Sequence, residues 1–351
     1  VPFRKNVFVL GAGASADAGA PLLRDFLDKA RELMGNPHSP LSPGDRERFK
    51  HVFDYQWKLR VAESRVLVDL DNIEDLFSLM DLEDLAGIPE AHSVRTDLLR
   101  LIVMTLEHSI RPVEIPNRDS TPMKNPYLSF VRYIARVKDG HQVRKENGDD
   151  AIISMNYDLL IDHAFRDARI RPDYQLKGVP PFTNTFDGTM RLLKLHGSAN
   201  WFYCPDCKRV RVGTSPNDPP VCEGNIHPLE NLIVPPTWNK GAHQGVLADI
   251  WAAARDELTK ADRIFLVGYS APATDRYFTY LLTSAMRQRE APPEIFIVNR
   301  DPPPSLKQMF VGWFGNRRVQ VRQQPFAWYI RDMISQDLGH GGEVVPSFLL
   351  L

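Results

Sequence analysis

A histidine followed by glycine, Lys194-Leu195-His196-Gly197-Ser198, and an asparagine near an aspartate, Ser154-Met155-Asn156-Tyr157-Asp158, are the side chains best suited to acid–base work in this chain. An imidazole accepts a proton near neutrality, and a carboxamide holds water or a sugar hydroxyl. Asp158 has two readings, a catalytic carboxylate or a cap on the next helix. Nearer the start lies the small-residue run Gly11-Ala12-Gly13-Ala14-Ser15-Ala16-Asp17-Ala18-Gly19-Ala20-Pro21. Glycines there permit a tight turn and let main-chain amides approach phosphate, and the N-terminus of a following helix favours negative charge. A diphosphate site is expected, with a ligand-free strand-to-helix turn as the alternative. Ala16 stands where the dinucleotide fingerprint has its third glycine, and no acidic residue is placed to end a second strand, which argues against hydride transfer.

The three cysteines give a second chemistry. Cys204, Cys207 and Cys222, followed by His227, form a C-x2-C-x14-C-x4-H pattern. Thiolates and imidazole suit tetrahedral zinc, and a full set of four ligands makes a structural rather than a catalytic site. The fourth ligand is His227 or Glu223; unmetallated thiols in a loop are the alternative. Three clustered cysteines are too few for a secreted disulfide framework.

The elements that must position these groups follow from hydrophobic patterning. Apolar runs at Asn6–Leu10, Ala151–Met155, Arg191–Leu195, Ile264–Val267 and Glu294–Val298 read as buried strands, each ending at a polar cluster. An amphipathic run from Pro21 to Met34 follows the glycine loop, and a Pro-, Gly- and Ser-rich linker spans Gly35–Pro43. Three helices are expected between Asp45 and about Ile110, one capped by Asn72, then another helix over Pro126–Val137 and a polar loop over Lys138–Asp150. Strands alternating with helices predict an α/β fold, a Rossmann-like parallel sheet with helices on both faces, a helical insertion at about 36–125 and a small zinc-binding module at about 201–228. Ligands gather at the carboxyl ends of such strands, so all five polar clusters should line one crevice.

Basic and acidic residues number 43 and 44, so composition shows no drive toward nucleic acid or anionic membrane. No run approaches the roughly 18 apolar residues of a membrane span, and Val1-Pro2-Phe3-Arg4-Lys5 lacks a secretory apolar region, so a cytoplasmic protein is expected.

Gly11 to Ser15 with Gly19, Pro21 and Arg24, then the Asn156 and His196 segments in the same order, resemble the sirtuins, the NAD-dependent silent-information-regulator class. The resemblance implies that Gly11, Ala12, Gly13, Ala14, Ser15, Gly19 and Arg24 bind NAD. It also implies that Asn156 and Asp158 act at the nicotinamide ribose, that His196 is the catalytic base, and that Gly268, Ser270 and Asn299 contact the adenosine side. Ala20-Pro21-Leu22-Leu23-Arg24 departs from the Ile-Pro-Asp-Phe-Arg of protein deacylases, Met155 replaces their glutamine, and Leu232-Ile233-Val234-Pro235-Pro236 replaces their peptide-binding Phe-Gly-Glu. With the insertion carrying Asn72-Ile73-Glu74-Asp75-Leu76, these departures resemble the sirtuin-like NAD hydrolases of bacterial antiphage defence. That resemblance implies cleavage of NAD to nicotinamide and ADP-ribose, a homo-oligomer, and a HerA-type ATPase as partner. An NAD-dependent lysine deacylase and a non-catalytic NAD or ADP-ribose sensor are the alternatives. The apolar tail Val345–Leu351 packs on its own domain or docks on a neighbouring subunit.

Overall fold

The computed structural model describes residues 4–63, 68–115, 122–138, 141–142, 150–177, 186–222, 229–234, 244–271 and 275–340. Strand β1 (Asn6–Leu10) enters the one-turn helix α1 (Gly13–Ala16), a 3-10 turn at Leu23–Asp25, and α2 (Phe26–Gly35). Helices α3 (Pro43–Glu63), α4 (Ile73–Leu85) and α5 (Ala91–Ser109) follow, then the short strands β2 (Glu114–Ile115) and β3 (Met123–Lys124). Next come α6 (Pro126–Ile134), β4 (Val137–Lys138), β5 (His141–Gln142), β6 (Ala151–Ser154), α7 (Leu160–Asp167), β7 (Ile170–Asp173) and β8 (Gly188–Lys194). A three-stranded unit of β9 (Gly197–Cys204), β10 (Arg209–Val212) and β11 (Glu230–Ile233) leads to α8 (Gln244–Lys260) and β12 (Arg263–Val267). The chain continues through α9 (Arg276–Met286), β13 (Glu294–Asn299), α10 (Pro304–Phe314), β14 (Val319–Gln323) and α11 (Phe326–His340).

Seven strands form one parallel sheet in the order β14-β13-β12-β1-β6-β8-β7. Val7, Phe8, Val9 and Leu10 are all buried, as are Ile264, Leu266 and Val267 beside them, which is the unbroken apolar reading of a strand covered on both faces. Register aligns Phe8, Phe265 and Phe296 across β1, β12 and β13, and their rings stack at 4.7 Å. Phe130 of α6 meets Phe8 edge-on at 5.0 Å, and Phe326 of α11 meets Phe130 at 5.2 Å, so these two helices seat on that aromatic row. From β1 the chain crosses one way to β6 and β8 and later the other way through β12, β13 and β14. The right-handed sense of parallel crossovers then puts α7 on the face opposite α9 and α10.

All five strands expected from the sequence are present. Two others, β7 and β14, lie at the sheet's edges: Pro172 interrupts one, and the other, Val-Gln-Val-Arg-Gln, is half exposed, so neither carries an apolar run. The helix expected from Pro21 begins only at Phe26, after the 3-10 turn. The helix from Pro126 stops at Ile134, and β4 and β5 pair where a loop was expected.

Helices α3, α4 and α5 stand where three were expected, and α4 is capped by Asn72 as the sequence suggests. Asn72 Oδ1 accepts from the Glu74 amide at 2.9 Å, and Ser42 and Asp45 cap α3 reciprocally, Oγ accepting from the Asp45 amide and donating to its carboxylate. These helices and α2 enclose a second core, with Phe49, Phe77, Met80, Leu98 and Leu101 fully buried, and Leu159 before α7, Ala199 of β9 and Ile233 of β11 join it. Among the described residues no helix is long and apolar enough to cross a membrane.

Candidate active site

The carboxyl ends of β1, β6, β8 and β12 meet at one crest, where the chain changes direction across the sheet. Gly11 N donates to Val267 O at 2.8 Å and Gly13 N to Gly268 O at 2.9 Å, so the loop after β1 lies directly on the loop after β12. A Cβ on Gly11 would stand 2.7 Å from Gly268 O, and one on Gly13 2.8 Å from Gly268 Cα. Gly268 itself has φ +59°, and its added Cβ would meet Ala14 N at 2.1 Å. Glycine is thus required here for backbone-to-backbone contact. The amides of Gly11, Gly13, Ala14 and Ser15 are all bonded within the protein, and Ala12 is the exposed apex. Gly19 backs onto the Ser109 carbonyl, which an added Cβ would approach to 2.7 Å.

Behind the loop lies a buried polar chain. Asn156, just past β6, donates through Nδ2 to Gly11 O at 3.0 Å and to Ser15 Oγ at 3.1 Å. A carbonyl only accepts, so this pairing fixes the amide orientation and leaves Oδ1 as an acceptor. Ser15 Oγ donates to Asp158 Oδ2 at 2.8 Å, and Asp158 Oδ1 accepts from Leu160 N at 3.0 Å at the start of α7. Asp158 therefore both caps α7 and holds Ser15. Burial pushes its carboxyl above the ordinary value, while the Lys194 charge, the Leu160 amide and the Ser15 hydroxyl pull it down. Lys194, 1 % exposed, donates to the Asp158 carbonyl at 2.7 Å and to Asp162 Oδ2 at 2.8 Å, and Tyr174 donates to Asp162 Oδ1 at 2.6 Å. A buried lysine is tolerable only when paired in this way.

His196 sits just past β8, its buried ring near those of Tyr157 and Trp251, each with its centroid 6.3 Å away. Nδ1 lies 3.3 Å from the Met155 carbonyl. Because the carbonyl can only accept, Nδ1 is the donor in this contact. Nε2 is 3.9 Å from Asp275 Oδ1, and Asp275 Oδ2 accepts from Tyr269 OH at 3.0 Å. The backbone here is clamped: Val234 N donates to His196 O at 2.8 Å, Tyr157 OH donates to Val234 O at 2.6 Å, and Trp251 Nε1 donates to Leu195 O at 3.1 Å. Gly197 has φ +79°, and a Cβ there would lie 2.1 Å from Leu232 O, so only glycine lets β9 turn under β11.

The other residues expected to contact NAD lie around this crest and at the surface. Arg24 is solvent-facing, paired with its neighbour Asp25 at 3.3 Å. Ser270 is exposed beside Gly268, and Asn299, at the end of β13, accepts from Asp301 N at 3.2 Å. Asp17, unremarked in the sequence, pairs with Arg300 and accepts from Ala327 N at 3.1 Å, tying the glycine loop to the start of α11. Sequence reasoning also missed Asp275 and Trp251. Their only local signals are a carboxylate five residues past Gly268-Tyr269-Ser270 and one tryptophan on an amphipathic helix.

Cys204, Cys207 and Cys222 converge with their Sγ atoms within 4.8 Å of one another. Cys207 and Cys222 are 3.5 Å apart and Cys222 and Cys204 3.6 Å. Tetrahedral zinc with Zn–S near 2.3 Å sets sulfurs about 3.8 Å apart, whereas a disulfide needs about 2.05 Å. The Cys207 amide donates to Cys204 Sγ at 3.5 Å and holds that thiol down to about 7, toward the thiolate a metal requires. Its hydrogen bond with Cys207 pushes Cys222 up to about 11. These three residues could hold a metal ion; His227 and Glu223 lie outside the described residues, as does the tail 345–351.

A family model described as a SIR2-like domain matches residues 150–314, the stretch from β6 to α10 that carries Asn156, His196, the cysteines and Asp275. No match is found among curated proteins. Among solved structures, the chain is similar to a mutant Sir2 homologue in complex with ADP-ribose, at 15 % identity over 97 % of this chain and 96 % of that one, with a TM-score of 0.45. A Sir2 homologue–NAD complex is 15 % identical over 95 % and 89 %, with a TM-score of 0.42. Sir2 bound to an acetylated peptide is 14 % identical over 95 % and 93 %, with a TM-score of 0.41.

Proposed function

We propose that this protein is an NAD glycohydrolase that splits NAD into nicotinamide and ADP-ribose. The observation that carries the reading is the placement of a base and an acceptor at adjacent strand ends. His196, and Asn156 with Oδ1 left to accept, stand beside the glycine loop at the sheet's crossover point. Cleavage of the nicotinamide–ribose bond builds positive charge on the ribose and needs an oriented nucleophile, and this pair supplies an orienting acceptor and a proton acceptor. Asn156 Oδ1 accepts from a ribose hydroxyl, His196 takes the proton of the nucleophile, and the Gly11–Ser15 loop, with Ala12 at its apex, borders the diphosphate. Ser15, with its hydroxyl committed to Asp158 and Asn156, acts by holding Asn156. Arg24, Gly268, Ser270 and Asn299 complete the nucleotide side.

Water rather than an acyl-lysine is the nucleophile. An acylated peptide needs backbone groups to pair with, and beside His196 both the N–H and the C=O of Val234 are already bonded to the protein. Cys204, Cys207 and Cys222 hold a structural zinc, with His227 or Glu223 as fourth ligand, which fastens the end of β9 but takes no part in the chemistry. In the cell the protein acts in the cytoplasm as a homo-oligomeric effector of antiphage defence that depletes NAD, alongside a HerA-type ATPase.

The reading is tested by replacing Asn156 or His196 with alanine in purified protein and following nicotinamide release by chromatography. Loss of release by about 100-fold or more in each variant, with unchanged thermal midpoint, is the expected result. Turnover equal to that of the unmodified protein in either variant contradicts it.

A further inference from the structure

Lys194, the last residue of β8, is 1 % exposed, the least exposed charged side chain among the described residues. An ammonium is held in such surroundings only by what it meets there. It donates to Asp162 Oδ2, in the first turn of α7, and to the main-chain carbonyl of Asp158. Asp162 also accepts from Tyr174 OH on its other oxygen, so its charge is met on both sides. Asp158 is buried as well, yet its carboxylate accepts from two neutral groups, the Ser15 hydroxyl and the Leu160 amide. The ionisable groups that face it are Lys194 from β8, Asp162 from α7 and Tyr127 from α6, and of these three only Lys194 is positive. Burial drives the Asp158 carboxyl toward its neutral form, and the Lys194 charge is the largest influence in the other direction.

The charge on Asp158 sets the direction of a chain of hydrogen bonds. Asn156 Nδ2 can only donate, so Ser15 Oγ accepts from it at 3.1 Å and passes its own hydrogen to Asp158 Oδ2 at 2.8 Å. That order holds only while Oδ2 carries no proton. A protonated Oδ2 would itself donate to Ser15 Oγ, the serine hydrogen would lose its acceptor, and the hold on Asn156 would weaken.

We infer that Lys194 is a positioning residue of the reaction: its ammonium keeps Asp158 ionised, which directs the hydrogen bonds from Asn156 through Ser15 to Asp158 and so presents Asn156 Oδ1 to the ribose hydroxyl. This deepens the glycohydrolase reading and rests on it. Lys194 acts at two removes from Asn156, through a carboxylate and a hydroxyl. It stands two residues before His196, so one strand end supplies both the proposed base and the charge that orders the asparagine beside it.

The test is the paired change Lys194→Met with Asp162→Asn, which removes the cation without stranding its partner's charge and leaves an acceptor for Tyr174. Nicotinamide release is followed as kcat against pH, beside Asp158→Asn, whose oxygen is held by the Leu160 amide so that its NH2 faces Ser15 as a donor at every pH. Without Lys194, Asp158 keeps its proton to higher pH, and the acid limb of the paired variant moves upward. Its kcat is expected to be lower by about tenfold or more near pH 7 and within about threefold of the unmodified protein near pH 9, with Asp158→Asn low at both. A lysine needed only for packing would give a loss indifferent to pH. A paired variant equal to the unmodified protein near pH 7, or one whose loss persists near pH 9, overturns the inference. Should the paired variant fail to fold, carboxyl carbon NMR of the unmodified protein, assigned with Asp158→Asn, reads the charge directly: an ionised Asp158 near pH 7 is expected, and a protonated one overturns the inference. Unmodified protein that leaves NAD intact removes the glycohydrolase reading, whereas an active protein whose acid limb ignores Lys194 loses this role alone.

Discussion

Asn156 spends both hydrogens of its amide inward, on Gly11 O and Ser15 Oγ, and the Gly11 carbonyl, which can only accept, holds its orientation. Asn156→Asp should therefore be as damaging as alanine, because a carboxylate facing the Gly11 carbonyl loses a donor and adds repulsion. Nicotinamide release near the unmodified rate in that variant would show that the orientation is not needed. Ser15→Ala removes the link between Asn156 and Asp158 and leaves a buried carboxylate one donor short, at a cost of about 1–3 kcal/mol. Its expected signature is a lower kcat together with a lower midpoint in urea. Asn156 and His196 were legible in the sequence because each follows a buried apolar run that could only be a strand, and strand ends are where ligands sit. Asp275 was not, because its meeting with His196 joins residues far apart in the chain across the ends of β12 and β8, and nothing in its immediate neighbours announces that approach.

Among the elements, strand-to-strand contact depends on where side chains are absent. Gly197→Ala places a Cβ 2.1 Å from Leu232 O at a positive φ, so β11 must separate from β9 and carry Val234 away from His196. A loss of about 3 kcal/mol or more, measured by urea unfolding, is expected with loss of activity. Gly312, inside α10 with nothing within 4 Å of an added Cβ, should behave oppositely, and Gly312→Ala should stabilise by about 0.5–1 kcal/mol. The cysteine cluster predicts one zinc per chain by metal analysis, and a chelator should lower the thermal midpoint by about 5 °C or more. The central strands could be read because Ile, Val, Leu and Phe cover both their faces. Strands β7 and β14 lie at edges, where half the residues meet solvent and the pattern dissolves. The glycine loop has a further reason that the sequence did not show: Gly11 and Gly13 also serve contact with Gly268, a partner that becomes visible only once β12 lies beside β1.

Across the whole molecule, two cores share the site. The sheet's core positions the strand ends, and the helical core of α2 to α5 leans on Leu159, Ala199 and Ile233, which flank the residues that carry Asn156 and His196. Arg100 of α5 ties the parts together, donating to Asp45 Oδ1 at 2.8 Å, to Pro216 O at 3.1 Å and to Asn217 Oδ1 at 2.6 Å. Burial raises the Asp45 carboxyl, but hydrogen bonds from Arg100 and Ser42 and the charges of Arg100 and Arg48 more than offset this and hold it below the ordinary 3.8. A depressed folded value means that this stabilisation is complete above pH 3.8 and is lost as pH falls through the lower folded value. Arg100→Ala should cost about 2 kcal/mol at neutral pH and flatten the acid limb of the stability curve. Equal acid sensitivity in the variant and the unmodified protein would remove Asp45 from that role. The measurement that bears most directly on the central claim is incubation of the purified protein with NAD, alone and with any ATPase encoded beside it, with and without an acylated lysine peptide, resolving nicotinamide and ADP-ribose by chromatography. The account predicts equimolar release of both, independent of the peptide and absent in His196→Ala. NAD that survives every condition, or nicotinamide release that requires the peptide and transfers its acyl group, would contradict it.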